Sequence, residues 1–329
     1  MSDDVFSVLP GLEVPVGGIA ASLARLWDGD PADGAGAPSE FRASQMNLVL
    51  HLGLPTTPDD GLAQFAAALR FTQRYPARIL VLCPRAEGGA DLALRAKIYS
   101  ECFIGSSRRE MSCIEAVMLS YPQERRDFLE DQVSIIVEAD LPIYYWVHRM
   151  SQVHKIATYQ WLLRNSDRFL LDTAVSTPEA RTYAWPRPDG FRDLAQARLL
   201  PVRQSVGQFL SAYAPAAIAR GLQAVTVAHD GDHAAEGRVL LEWARVRLEA
   251  CGVPAQPGPA YRTRPVAAGT SSSLELNFGY DDGRHFLWRA DFAHGGAYFE
   301  STLGGGRQML PMTTGLLATE AALGEAIFY

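Results

Sequence analysis

Two cysteines in a short stretch are the first candidates for chemistry. Cys102 and Cys113 lie in the segment ECFIGSSRREMSC, and the chain's other two cysteines are Cys83 and Cys251. Two thiols at this separation could hold a metal ion together with further ligands, form a reversible disulfide, or pack as reduced side chains in a core. Four scattered cysteines do not make the disulfide framework of a small secreted domain.

The flanking sequence predicts a β-hairpin around these thiols. DLALRAKIYSECFI and REMSCIEAVML have the pattern of two strands that flank a GSSR turn at residues 105–108. A hairpin that turns at GSSR places Cys102 opposite Cys113, on the apolar face. A metal would need two further soft ligands, and a directly cross-strand disulfide is geometrically tight. The favoured interpretation is therefore a pair of buried, reduced thiols, with a reversible redox disulfide as the alternative.

Other clusters give weaker chemical signals. The segment HDGDH at 229–233 packs two imidazoles and two carboxylates together, as a metal site could, but its aspartates also suit the cap of a following helix. We predict the capped turn and no metal. The chain contains neither G-x-G-x-x-G, G-x-x-x-x-G-K-[ST] nor G-x-S-x-G. The sequence thus disfavours the nucleotide sites and the hydrolase nucleophile that these motifs build, and predicts no cofactor.

The elements that must position these residues indicate an α/β fold with two domains. Short apolar strands alternate with helices up to about residue 215, which is typical of a mostly parallel sheet. Beyond it, short strands separated by DDG, HGG and GGG predict an antiparallel meander, with a helix at each end. We therefore predict an N-terminal arm and linker over 1–45, an α/β domain with an inserted β-hairpin over 46–215, and a smaller α+β domain over 216–329.

Composition limits the class of protein. The chain of 329 residues is 48% hydrophobic and 20% charged, with a net charge of −7. No dense basic run occurs, which disfavours a nucleic-acid partner. No apolar run is long enough for a membrane span, and the acidic N-terminus lacks the order of a signal peptide, so a cytoplasmic protein is expected.

Several segments resemble the glucose-6-phosphate dehydrogenase assembly proteins of the OpcA family. RILVLCP (78–84), DLPIYYWV (140–147) and RFLLDTA (168–174) are similar to three strands of that family. The most specific match is DLAQARLLPVR (193–203) to the family's D-L-A-W-T-R-L-T-P-W-R, although Gln196 and Val202 stand where the family has tryptophans. The matches keep their order along the chain, in the manner of a distant branch.

The resemblance implies a non-enzymatic partner of glucose-6-phosphate dehydrogenase, at the entry to the oxidative pentose phosphate pathway. Such an allosteric effector would bind and stabilise the active oligomer of the dehydrogenase. The side chains expected at the partner interface are an aromatic strand end and three charged residues, namely Tyr144, Tyr145, Trp146, Asp193, Arg198 and Arg203.

These six residues also have structural interpretations. The aromatic run is more typical of a strand end packed between layers, and Arg198 and Arg203 could form salt bridges to the neighbouring domain, with Asp193 among the acceptors. An alternative function is an enzyme or small-molecule sensor that uses the α/β domain and holds a sugar phosphate near the two arginines.

Overall fold

The computed structural model describes residues 4–27, 44–89, 91–103, 112–267 and 271–329. Its helices are α1 (Val5–Val8), α2 (Ile19–Trp27), α3 (Pro58–Arg74), α4 (Arg126–Ile136), α5 (Val153–Ile156), α6 (Gln160–Asn165), α7 (Leu194–Arg198), α8 (Leu200–Leu210), α9 (Pro215–Ala219), α10 (Ala234–Ala250) and α11 (Thr319–Phe328). Short 3-10 helices lie at Val16–Gly18, Gln123–Arg125, Pro178–Arg181 and Pro188–Gly190.

The strands belong to two sheets. They are β1 (Leu12–Val14), β2 (Met46–Leu52), β3 (Ala77–Arg85), β4 (Arg95–Phe103), β5 (Ser112–Pro122), β6 (Ile143–His148), β7 (Arg168–Leu171), β8 (Phe191–Asp193), β9 (Leu222–His229), β10 (Ala260–Pro265), β11 (Leu274–Tyr280), β12 (His285–Asp291), β13 (Gly296–Ser301) and β14 (Gln308–Thr313). None of the helices in the described ranges is long and apolar enough to cross a membrane.

The first sheet has the order β1-β4-β5-β3-β2-β6-β7-β8. The strands from β5 to β8 in this order pair in parallel, while β4 pairs antiparallel with β5 and with β1. Helices cover the sheet, and the central strands β2 and β3 are mostly apolar and buried almost throughout, as parallel strands between helix layers must be. This confirms the predicted α/β domain and its added hairpin.

The second sheet has the order β10-β9-β11-β12-β13-β14. Its strands β11 to β14 form the predicted antiparallel meander, and the DDG turn between β11 and β12 contains Gly283 at a φ of 82°. That left-handed conformation favours glycine and closes the tight turn. The core lies between this sheet and helices α8 and α10.

The chain divides into two compact units, Met1–Leu194 with Thr319–Tyr329, and Ala195–Ala318. This division differs from the predicted domain boundary between residues 215 and 216. Val202 and Val206 of α8 join the core of the second sheet. The division also separates α11 from the meander, since the Phe328 ring packs against Tyr75 at the end of α3, with centroids 4.6 Å apart. Helix α11 therefore belongs to the first unit.

The predicted N-terminal arm packs on the first unit's sheet through residues 5–14. Strand β1 pairs with β4, and Phe6 and Leu9 are buried. The Lys97 ammonium donates to the carbonyl oxygens of Phe6 (2.7 Å) and Leu9 (2.8 Å), so β4 anchors the short helix α1. The expected linker at 28–40 lies outside the described residues.

Candidate functional site

Ligands of open α/β sheets bind outside the carboxyl ends of the strands, where the strand order reverses. In the first sheet that point lies between β2 and β6. Here the loops that follow the two strands are joined, because the Gly53 amide donates to the His148 carbonyl oxygen at 2.7 Å. A Cβ on Gly53 would lie only 2.1 Å from the Arg149 carbonyl oxygen. The backbone of the two loops therefore packs closely at Gly53, which leaves no room for a side chain there.

A polar cluster fastens this junction to α3. The Asp60 carboxylate accepts hydrogen bonds from His148 Nε2 at 2.8 Å, from Gln64 Nε2 at 3.0 Å and from Arg149 Nε. Burial disfavours the charge of Asp60, but these donors outweigh it and lower the pKa of the carboxyl. Burial also disfavours the charged form of His148, and for this basic group that lowers the pKa. These groups form hydrogen bonds with one another. Within the cluster, Arg149 has a φ of 52°, which is rare for a residue with a side chain.

A buried histidine lies at the centre of a second polar network in the first unit. His51 Nδ1 is 2.6 Å from the Tyr145 hydroxyl and Nε2 is 2.7 Å from the Tyr121 hydroxyl, which is itself 2.6 Å from the Tyr159 hydroxyl. A neutral imidazole donates through one nitrogen and accepts through the other, so it satisfies both contacts. Burial lowers the pKa of His51 to about 3. The apolar pattern MNLVLHLG gave no signal of this network.

The cysteine pair lies where the hairpin register predicted. Cys102 and Cys113 are cross-strand partners, which confirms the register, but they form a disulfide with an S–S distance of 2.05 Å. Cys113 is buried whereas Cys102 is exposed at the end of β4. The prediction of two buried, reduced thiols is therefore wrong. The GSSR turn at 105–108 lies outside the described residues. Cys83 is buried, which raises the pKa of its thiol and makes it a poor nucleophile.

Reduction of this disulfide should lower the free energy of unfolding by ~2–3 kcal/mol, because the bond closes a short loop and restricts the unfolded chain. The sequence separation of the two cysteines is 11 residues. Urea unfolding with and without a thiol reductant measures the difference. The Cys102→Ser variant should match the reduced wild type and be insensitive to reductant. Equal midpoints for the oxidised and the reduced wild type would contradict the prediction.

The HDGDH segment forms a turn before α10, but the predicted aspartate cap is wrong, because the N-cap residue is His233 and no side chain caps the helix. The Asp230 carboxylate accepts hydrogen bonds from the backbone amides of Asp232 and His233, both at 3.0 Å, and from His233 Nδ1 at 2.7 Å. His229 Nδ1 lies 2.8 Å from the Asp230 carbonyl oxygen. The Asp230 carboxylate thus orders the turn.

The aromatic residues expected at a partner interface lie inside the first sheet. Tyr145 and Trp146 are 0% and 1% exposed, because β6 is an interior strand between β2 and β7 with both faces covered. Neither side chain can touch a partner, so this part of the prediction is wrong. Tyr144 is half-buried, and its ring centroid lies 6.5 Å from that of Phe328.

The charged residues of the 193–203 segment make internal contacts. The buried Asp193 carboxylate accepts from Thr173 Oγ1 at 2.7 Å and from Arg181 at 2.6 Å. Arg198 pairs with the buried Glu236 at 2.7 Å, within the second unit. The salt-bridge interpretation thus describes Arg198, with Glu236 as an acceptor. Arg203 lies on α8, along a groove of the second unit.

Sequence reasoning also missed an exposed apolar strand in the second unit. Met309 and Leu310 of the edge strand β14 are 60% and 51% exposed. Neighbouring residues of a strand point to opposite faces, so both faces of β14 are open in this region. The signal was available in RQMLPM, where adjacent large apolar residues follow a glycine-rich turn.

No protein-family model matches the chain, and no curated protein matches it significantly.

Proposed function

We propose that this protein is a non-catalytic assembly factor and allosteric activator of glucose-6-phosphate dehydrogenase. It would act on the oxidative pentose phosphate pathway by binding the active oligomer more tightly than the inactive forms. An effector shifts such an equilibrium by its differential affinity for the two states, and it needs no catalytic group of its own.

The observation that carries the proposal is the ordered resemblance to the OpcA family, and above all the segment 193–203. The charged residues of that segment have specific roles in the fold, since Asp193 bonds to Arg181 and Arg198 bonds to Glu236. The other three segments contribute β3, β6 and β7 of one parallel sheet. The resembling segments therefore lie in ordered, internally bonded parts of the chain.

We assign the docking surface to the exposed strand β14. Edge strands of soluble proteins are normally protected by charged side chains or by a covering element. Strand β14 instead exposes Met309 and Leu310. Adjacent exposed apolar side chains on an edge fit the apolar centre of a protein interface. This assignment replaces Tyr145 and Trp146 of β6, which are buried.

The direct test mixes the purified chain with the dehydrogenase of the same organism. We expect a changed kcat/KM and an earlier elution of the dehydrogenase in size-exclusion chromatography, while the chain alone turns over no glucose 6-phosphate. If neither quantity changes, the proposed function is wrong.

The docking surface has its own test. Leu310→Lys should weaken the complex by about tenfold or more, because a charge would be buried at the interface. The matched control is Ile135→Lys on α4, which also charges a highly exposed apolar residue (72%) but lies in the first unit. Equal loss of binding in both variants, or none in Leu310→Lys, would reject the surface while leaving the function itself intact.

A further inference from the structure

A groove with a volume of about 700 Å³ opens between α8 and α10 of the second unit. Its floor consists of the buried side chains of Ile218, Leu248 and Phe278. One wall is a single face of α8, and the opposite wall includes the half-buried indole of Trp243 on α10. Sites for small organic molecules have volumes of this order and a mainly apolar lining with a few polar groups.

A glycine in the middle of α8 keeps the groove open. Gly207 lines the groove, and a Cβ built on it would meet no atom within 4 Å. Glycine inside a helix costs ~1 kcal/mol relative to alanine. Because no neighbouring backbone approaches closely, packing does not require a glycine here. The missing side chain instead leaves space in the groove.

The charges along the groove have one sign. Arg203 on α8 and Arg247 on α10 line it from the two walls. None of the residues that line it, all in the described part of the chain, is acidic. The chain as a whole carries a net charge of −7, so the groove is a local exception. Guanidinium groups bind carboxylates through paired, charge-assisted hydrogen bonds.

We propose that this groove binds a small organic anion with an apolar body, such as a medium-chain carboxylic acid. The carboxylate lies near Arg247, and the hydrocarbon chain covers the floor beside Trp243. A sugar phosphate fits less well, because its hydroxyl groups would lie against apolar side chains and lose their hydrogen bonds to water. The inference does not rest on the proposed function, since it concerns the chain alone.

Decanoate is a suitable probe, with decanol, decyltrimethylammonium and inorganic phosphate as comparisons. We expect saturable binding of one decanoate per chain in isothermal titration calorimetry, with a change in tryptophan fluorescence. Decanol should bind about tenfold more weakly, because it lacks the charge-assisted hydrogen bonds. Decyltrimethylammonium should bind more weakly still, and phosphate should not bind. Non-saturating heats, or equal binding of decanoate and decanol, would overturn the proposal.

Variants of the groove separate this site from other apolar surfaces. Gly207→Phe fills the space and should abolish decanoate binding, whereas Gly207→Ala should retain it. Arg247 is exposed, so Arg247→Gln should keep the fold, weaken decanoate by about tenfold and leave decanol unchanged. If Gly207→Phe fails to fold by circular dichroism, the Arg247 variant decides. Unchanged decanoate affinity in a folded Gly207→Phe or in Arg247→Gln would place the ligand elsewhere and reject the site.

Discussion

Replacement of Arg78 by methionine should destabilise the first unit more than any other single substitution proposed here, by ~3–5 kcal/mol. Arg78 begins the RILVLCP segment on β3, and its side chain is 10% exposed. The guanidinium donates to Glu115 at 2.9 Å and to the Ile136 carbonyl oxygen at 2.7 Å, and it pairs with Glu138 at 2.8 Å. The substitution would leave the Glu115 carboxylate, which is 1% exposed, without this cation.

Urea unfolding of the wild type, Arg78→Met and the double variant Arg78→Met/Glu115→Gln measures the effect. The double variant should recover part of the loss, because the buried amide is neutral and the cost of an uncompensated charge disappears. Arg78→Lys should fall between wild type and Arg78→Met, since one ammonium cannot reproduce the fork geometry of three contacts. A loss below about 1 kcal/mol in Arg78→Met would mean that the network contributes no more than a surface ion pair.

The same arginine illustrates what sequence resemblance conveys in this chain. Arg78 and Asp193, which lie in segments that resemble the OpcA family, pair with Glu115 and with Arg181 inside the first unit. Residues with such internal roles do not identify a docking surface. That surface has to be found from exposure, which separates Leu310 from the buried Trp146.

Elements with a strong local pattern could be predicted from the sequence. The alternation of apolar strands with helices, the meander and the hairpin register all follow from period and turn residues, and each is present. The oxidation state of Cys102 and Cys113 could not be predicted, because register places two sulfur atoms near each other without deciding whether they bond. The short β1 also has no periodicity of its own, and it is ordered by pairing with β4.

The aromatic strand shows how burial depends on topology. IYYWVH has no alternation of apolar and polar residues, which is typical of a strand covered on both faces. Its position between β2 and β7 covers Tyr145 and Trp146, and only the strand order reveals this. The hydrogen bonds of His51 also depend on topology, because its partners on β5 and β6 come from segments more than 60 residues away in the chain.

Acidification from pH 7 to pH 4 should reduce the free energy of unfolding by about 3 kcal/mol through His51 alone. In the unfolded chain this imidazole takes up a proton near its ordinary pKa of about 6.5. In the folded protein burial lowers that pKa to about 3. The unfolded state therefore binds more protons between these values, so the stabilisation is complete above pH 6.5 and is lost as the pH falls toward 3. A protonated ring would also need acceptors at both nitrogens, where it now faces two tyrosine hydroxyls.

Urea unfolding at pH 7, 5.5 and 4 for the wild type and His51→Phe isolates this contribution. The variant should be less stable at pH 7, since tyrosine hydroxyls lose a partner, but its stability should fall less steeply with acid. The lowered pKa of His148 adds a slope of the same sign in both proteins, and so does that of Asp60. Only the difference between the two curves therefore reports His51. His154→Gln, at an exposed position on α5, is the control and should keep the wild-type slope. Parallel curves for wild type and His51→Phe would show that the buried histidine is not held neutral, and that the tyrosine network accepts its charge.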